Sequence, residues 1–192
     1  MKRNTAKLYV FAAPSGTGKT TIMKSVLKKF PQMIFSISAT TRKKRNSEVD
    51  GRDYFFITEK EFEEKIKNDE FVEWERFYDY YYGTLKSFVD GNLEKGISVL
   101  FEVDVKGAVS IKHKFPKAVL IFIAPPSFEV LKTRLINRNT ESPEDLKKRI
   151  ERAEMEMEYS NRNEFDYKII NDDLEKAKIK IEEIIEKEIN KE

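Results

Sequence analysis

The chain has 192 residues, and 36 Lys and Arg against 34 Asp and Glu leave a formal net charge of only +2 on a sequence that is 36% charged. That length favours one domain, and 40% apolar residues with 14 Phe and 8 Tyr can build a core, which excludes global disorder. The near-neutral balance argues against a generally basic nucleic-acid binder, so any strong anion site must be local. Zero Cys excludes disulfides, thiolate nucleophiles and Cys-ligated metal clusters; the single histidine, His113, excludes multi-His metal sites and reads as a surface residue. No apolar run approaches the roughly 18 residues that span a bilayer. Lys7 interrupts the charged-to-apolar order of a secretion signal and the following run is short, so a cytoplasmic protein is expected.

Leu8 to Ala12 reads as a buried strand, Pro14 to Gly18 as a glycine turn and Thr20 to Phe30 as a helix. From about Phe35 to Lys86 the rhythm changes. This stretch is rich in Tyr and Phe, turns at Asp50-Gly51 and offers strands at Tyr54–Ile57 and Phe71–Phe77. Thr58 and Glu61 stand at capping-box spacing before a helix over Glu59–Asn68. The segment reads as an inserted lobe, in which most of the run Tyr78, Tyr80, Tyr81 and Tyr82 is packing. Ile97–Val103 and Ala118–Ala124 are near-continuous apolar runs suited to strands covered on both faces, and Phe165–Ile170 is a weaker third. Helices are expected over Phe128–Arg138, started by Ser127, over Pro143–Asn161, capped by Ser142, and over Leu174–Ile189. Ile179, Ile181, Ile184, Ile185 and Ile189 give the last a roughly helical stripe. Alternating strands and helices imply an α/β core with a parallel sheet.

Ala13-Pro-Ser-Gly-Thr-Gly-Lys-Thr20 fits the phosphate-binding pattern G-x-x-x-x-G-K-[ST], with Ala13 in place of the first glycine. Successive backbone N–H groups must turn inward on a polyphosphate, which glycine-rich backbone permits at close range, and the following helix adds its N-terminal amides. The candidate cradle is therefore Ala13, Pro14, Ser15, Gly16, Thr17, Gly18, Lys19, Thr20 and Thr21; Lys19 would reach the β and γ phosphates and the Thr20 hydroxyl would ligate Mg²⁺. Val99–Asp104 supplies Glu102 and Asp104 at alternate positions, on one side of a strand, where metal and phosphates need carboxylates.

The cradle, Ser36–Arg42 with Arg45, Glu48–Phe56, Glu70–Trp74, Tyr81–Thr84, Asp104–Gly107, Ile123–Pro126 and Asn171–Asp173 together resemble guanylate kinases, in that family's order and over nearly the whole chain. The resemblance implies one domain over residues 1–192: a P-loop NTPase core with a five-stranded, mostly parallel sheet, a GMP-binding lobe at about 35–86 and a helical lid at about 127–160. It implies transfer of the γ-phosphoryl of Mg·ATP to GMP. By the same resemblance, Ser38, Glu73 and Thr84 contact guanine, and Arg42, Arg45, Tyr54 and Tyr82 clamp the GMP phosphate. Asp104, with Glu102 as a weaker site residue, lies near the acceptor and metal; Arg134, Arg138 and Arg149 gather around the transferring phosphoryl; Asn171 lies near adenine. Lys44, Asn46 and Ser47 depart from the family, standing where a proline, a variable residue and a glycine are usual.

The chemistry of these residue types agrees. Guanine offers N1–H and N2–H₂ donors beside the O6 acceptor, so a carboxylate such as Glu73 can accept from both nitrogens while a hydroxyl donates to O6. Arginine's planar fork suits phosphate at Arg42 and Arg45. GMP and ATP are the expected partners, with no nucleic acid and no membrane, and with the oligomeric state open. Three rivals remain: a related P-loop kinase for another monophosphate or a sugar phosphate, which the Glu73, Ser38 and Thr84 set argues against; a noncatalytic guanylate-kinase-like module for protein partners, which need not keep Lys19, Thr20 or the lid arginines; and a nucleic-acid binder. A nucleic-acid binder using Arg42–Arg45 is disfavoured by the neutral overall charge.

Overall fold

Strand β1 (Leu8–Ala12) is buried along its whole length, as an apolar run with a strand on either side must be. It belongs to a computed structural model that describes residues 6–77, 79–137, 143–159 and 164–191. After β1 come α1 (Lys19–Lys29), β2 (Ile34–Phe35), β3 (Ser38–Thr40), β4 (Phe55–Phe56), α2 (Glu59–Lys67), β5 (Phe71–Phe77) and β6 (Tyr80–Leu85). The chain then runs through α3 (Lys86–Glu94), β7 (Val99–Val103), α4 (Val105–Lys114), β8 (Val119–Ala124), α5 (Phe128–Ile136), α6 (Pro143–Tyr159), β9 (Tyr167–Ile170) and α7 (Leu174–Asn190).

Two sheets result. The larger has five strands in the order β2-β7-β1-β8-β9, and every neighbouring pair is parallel. The smaller has four, β4-β3-β6-β5, with antiparallel pairs at β3–β6 and β5–β6 and a parallel pair at β3–β4. Phe35 lies in the large sheet and Ser38 in the small one, so the change of sheet falls between them.

Side chains alternate along β1, which gives the large sheet two apolar faces. On one, Tyr9 and Phe11 pack with Ile22, Met23 and Val26 of α1 and Ile181 and Ile185 of α7. On the other, Val10 and Phe101 pack with Val89 of α3 and Ala108 and Ile111 of α4. Asp173 caps α7 by accepting from the amides of Glu175 and Lys176. Near the other end, the buried carboxylate of Glu188 takes the Tyr167 hydroxyl at 2.6 Å and the ammonium groups of Lys7 and Lys191, tying α7 to β9 and to the approach to β1.

The small sheet has its own core, in which Phe62 of α2 stacks on Phe71 with centroids 4.2 Å apart and planes at 22°. The capping box expected at α2 is present: Thr58 Oγ1 accepts from the Glu61 amide and Glu61 accepts from the Thr58 amide. A bulge between Phe71 and Glu73 breaks the alternation of β5. Phe71 enters the small core and Val72 the large one, while Trp74 is 46% exposed.

Several short elements escape the sequence reading. Strand β2 has two residues; β3 and β6 take their identity from pairing; α3 and α4 carry Gly91 and Gly107 inside them. The expected Ser142 cap and Asn161 helix end lie outside the described residues. In α7, Ile181 is fully buried whereas Ile179 is 55% exposed. Ile181→Ala is expected to cost about 2–5 kcal/mol of stability in urea unfolding, and Ile179→Ala to stay within about 0.5 kcal/mol of the parent.

Candidate active site

The carboxyl ends of β1 and β7 open into a cleft of about 820 Å³, walled by the glycine turn, Glu102 and Asp104, Glu75 of β5, and Arg149, Arg152 and Glu156 of α6. A smaller hollow of about 340 Å³ continues it, lined by Ser38, Tyr54, Glu73, Tyr82 and Gly83 and sharing Glu75, Glu102 and Asp104. Clefts at strand carboxyl ends are where open α/β sheets bind ligands.

The glycine turn is set by left-handed backbone at Gly16 (φ 91°) and Gly18 (φ 85°), the latter preceding α1. A Cβ at Gly18 would also meet the Asn171 amide nitrogen at 3.0 Å. Ala13 is buried and is not among the positive-φ residues, so the first motif position needs no glycine here. Lys19 leans across the turn: its Nζ donates to the Val103 carbonyl at 3.2 Å and lies 3.7 Å from Glu102. Burial lowers the Lys19 pKa, and Glu102 opposes that shift. The Thr20 hydroxyl donates to Glu102 at 3.3 Å.

Asn171 stands behind this turn. It is buried, its side-chain amide donates to the Thr17 carbonyl at 2.6 Å, and it is not among the residues walling the cleft. Arg134 likewise lies outside the cleft wall, with its guanidinium 3.4 Å from the Asn171 carbonyl. Arg138 falls outside the described residues.

Ser38, Thr84 and Glu73 form one row across β3, β6 and β5, because Ser38 pairs with Thr84 and Thr84 with Glu73. Thr84 Oγ1 donates to Glu73 Oε1 at 2.8 Å. Burial raises the Glu73 carboxyl to about 7, with Glu75 and Asp104 adding to the shift against the Thr84 hydrogen bond. The next row, Thr40–Tyr82–Glu75, brings Glu75 to the same face. Gly83 lies between these rows, where a Cβ would come within 2.8 Å of the Glu73 carbonyl.

Asp104 corrects the strand reading, for β7 ends at Val103 and Asp104 caps α4. One carboxylate oxygen accepts from the Gly107 amide at 2.7 Å, leaving the other toward Arg152 at 3.2 Å. Arg42 is forked onto Glu48 at 2.7 and 3.1 Å and sits 5.4 Å from the Tyr54 ring centroid. Glu48 also accepts from the Arg45 amide at 2.7 Å, so this carboxylate braces a loop that lacks the usual proline and glycine.

Glu75, Arg152 and Glu156 were not singled out from the sequence. Their signals were present: Glu75 lies two residues beyond Glu73 on a strand, and Arg152 and Glu156 follow Arg149 at helical spacing. Among the described residues, no group of three or more His, Cys, Asp or Glu is placed to hold a metal, and no helix is long and apolar enough to cross a membrane.

Residues 5–188 match the family model described as guanylate kinase. A guanylate kinase of Caldanaerobacter subterraneus is 48% identical over 93% of this chain and 85% of its own length. That of Bacteroides thetaiotaomicron is 47% identical over 100% of this chain and 94% of its own. Among solved structures, guanylate kinase from Anaplasma phagocytophilum superposes with a TM-score of 0.73 at 28% identity, covering 98% of this chain and 88% of that one.

The titration of Glu73 has a sign that can be tested on the free protein. Its carboxyl holds a proton in the fold up to about 7, against 4.5 ordinarily, so the native state binds more protons than the unfolded chain in that window and stability falls as pH rises through it. Glu73→Gln removes this loss. In urea unfolding, the variant is expected to gain on the wild type between about pH 5 and about pH 8; a difference that does not change with pH contradicts the assignment.

Proposed function

We propose a division of labour for this chain, which belongs to the guanylate kinase family and transfers the γ-phosphoryl of ATP to GMP: the glycine turn holds the donor, the small sheet reads the acceptor, and α6 brings charge over both. The single observation that carries this is the continuity of the cradle with the Ser38–Thr84–Glu73 row through one crevice.

The donor's polyphosphate takes the inward amides of residues 13–21 and the positive end of α1. Lys19 moves from the Val103 carbonyl onto phosphate oxygens, the more strongly charged acceptors. Asn171 acts from behind, holding Thr17 and so the shape of the cradle.

Guanine enters the smaller hollow, where ionised Glu73 accepts from N1–H and N2–H₂ and the Ser38 hydroxyl serves its remaining edge, while Thr84, fully buried and outside the hollow's lining, holds Glu73 through its own hydroxyl. Adenine would set its N1 lone pair against that carboxylate and leave buried polar groups unpaired. Arg42, Arg45, Tyr54 and Tyr82 take the GMP phosphate, with Arg42 exchanging its Glu48 partner for it.

Mg²⁺ suits the same wall. Thr20 and Glu102 present hard oxygen donors, and an ion that keeps several waters and binds phosphate oxygens needs no larger protein cage. When bound it neutralises charge on the β and γ oxygens. A GMP phosphate oxygen then attacks Pγ in line, forming the new O–P bond as the bond from Pγ to the β–γ bridging oxygen breaks and ADP leaves. No side chain becomes a nucleophile. Arg149, which walls the cleft, spreads positive charge over the moving group, and α6 over the cleft excludes water. The cysteine-free sequence suits a cytoplasmic setting.

The test is a coupled ADP-release assay with GMP, AMP, CMP and UMP offered separately. GMP is expected to exceed AMP in kcat/KM by on the order of 10⁴, Lys19→Ala to abolish turnover, and Glu73→Gln to erode base selectivity more than ATP binding. Equal rates on GMP and AMP contradict the guanine site, and nucleotide binding without turnover points to the noncatalytic module.

A further inference from the structure

Two neighbouring rows of residues cross the small sheet, Ser38–Thr84–Glu73 and Thr40–Tyr82–Glu75. Each sends residues into the smaller hollow, Ser38 and Glu73 from the first and Tyr82 and Glu75 from the second. On β5 the two acids stand two positions apart, hence on one face and roughly 7 Å from each other along the strand. The first row reads guanine in the proposed function, and Tyr82 of the second belongs to the phosphate clamp. A nucleotide that satisfies both must carry its sugar past the second row, because the sugar is the link between base and phosphate. Glu75 stands at that crossing and walls the larger cleft as well.

Among the described residues, Glu75 is the most loosely held acid lining the hollow. Glu73 takes the Thr84 hydroxyl at 2.8 Å, Asp104 takes the Gly107 amide at 2.7 Å and Arg152 at 3.2 Å, and Glu102 takes the Thr20 hydroxyl at 3.3 Å. Glu75 Oε2 lies 3.5 Å from Arg152 Nη2, at the outer limit of a hydrogen bond. Burial raises the Glu75 pKa, with Asp104 adding to the shift and Arg152 opposing it, so a further donor at Oε1 would favour the ionised form. Ribose brings such donors in its vicinal hydroxyls, and an acid set against the 2′-hydroxyl is how dinucleotide-binding folds read a sugar.

We propose that Glu75 is a specificity-determining residue: its carboxylate accepts from the 2′-hydroxyl of the acceptor's ribose, so the site prefers GMP to 2′-deoxy-GMP. The proposal deepens the reading of the small sheet as the GMP site and rests on it. With a deoxyribose the carboxylate loses that donor, and Arg152 alone does not replace it. The Glu75 side chain keeps 43% of full exposure, so water makes good part of the loss and the discrimination is moderate.

The test compares kcat/KM for GMP and 2′-deoxy-GMP in the wild type, Glu75→Ala and Glu75→Gln. The two substrates differ only at the 2′ position, so a general loss of folding or catalysis moves both rates and leaves their ratio alone. The wild type is expected to favour GMP by on the order of tenfold. Glu75→Ala should bring the ratio to within about threefold of unity, through a loss on GMP with 2′-deoxy-GMP little changed. Glu75→Gln keeps a neutral acceptor and should fall between the two. A ratio that is the same in Glu75→Ala as in the wild type overturns the proposal and leaves the kinase reading standing. Should the wild type turn over neither substrate, the kinase reading fails; the same ratio taken from calorimetric Kd values then decides the sugar contact, and binding of neither nucleotide overturns it.

Discussion

Crowding carboxylates into a crevice that must also receive phosphates is the constraint on which the arrangement of this protein depends. Glu73 is partly buried, hydrogen-bonded to Thr84 and near the carboxylates of Glu75 and Asp104, and its raised pKa expresses the cost of ionising it there. A fold does not keep such a group without a use, because an apolar or amide side chain would be easier to bury. In the proposed reaction the guanine edge supplies the missing donors. The free-energy cost then becomes selectivity, since only a base with donors at N1 and N2 relieves it.

The rest of the site offsets that acidity. Lys19 comes from the core, Arg42 from the loop before β4, and Arg149 and Arg152 from α6, so the balancing cations stand on separate elements. Several of them are engaged with carboxylates: Lys19 with Glu102, Arg42 with Glu48, Arg152 with Asp104. Each of these pairs is a store of oriented positive charge that a phosphate can draw on by exchange, without the reorganisation that free solvent would require. The backbone amides at the glycine turn contribute a field that needs no such partner, because the left-handed Gly16 and Gly18, with Asn171 holding Thr17 from behind, fix their direction.

The core was legible in the sequence wherever one local rule sufficed. Leu8–Ala12, Lys19 with its preceding glycines, the Thr58–Glu61 box and the Ser127 cap each announce their element from within a few residues, and the structure has them. The small sheet was harder to read, because β3 and β6 are strands through pairing with each other and with β5, and the bulge at Phe71/Glu73 upsets the alternation that would mark a buried face. Asp104 read as a strand acid because nothing in Val-Asp-Val marks where a strand yields to a helix cap. Individual site residues such as Glu73 and Ser38 were reached through family resemblance; their alignment in one cross-strand row is visible only in three dimensions. Arg152 stands one helical turn from Arg149 in the sequence, but its carboxylate partners Glu75 and Asp104 come from distant segments and meet it only in the fold.

The central claim is that guanine binds to the ionised form of a carboxyl which the empty fold holds protonated near neutrality. Calorimetric titration with GMP at about pH 6, repeated in buffers of different ionisation enthalpy, counts the protons that accompany binding. The account predicts that the wild type releases more protons per GMP than Glu73→Gln, the phosphate's own contribution being common to both. Equal release from the two proteins would contradict it.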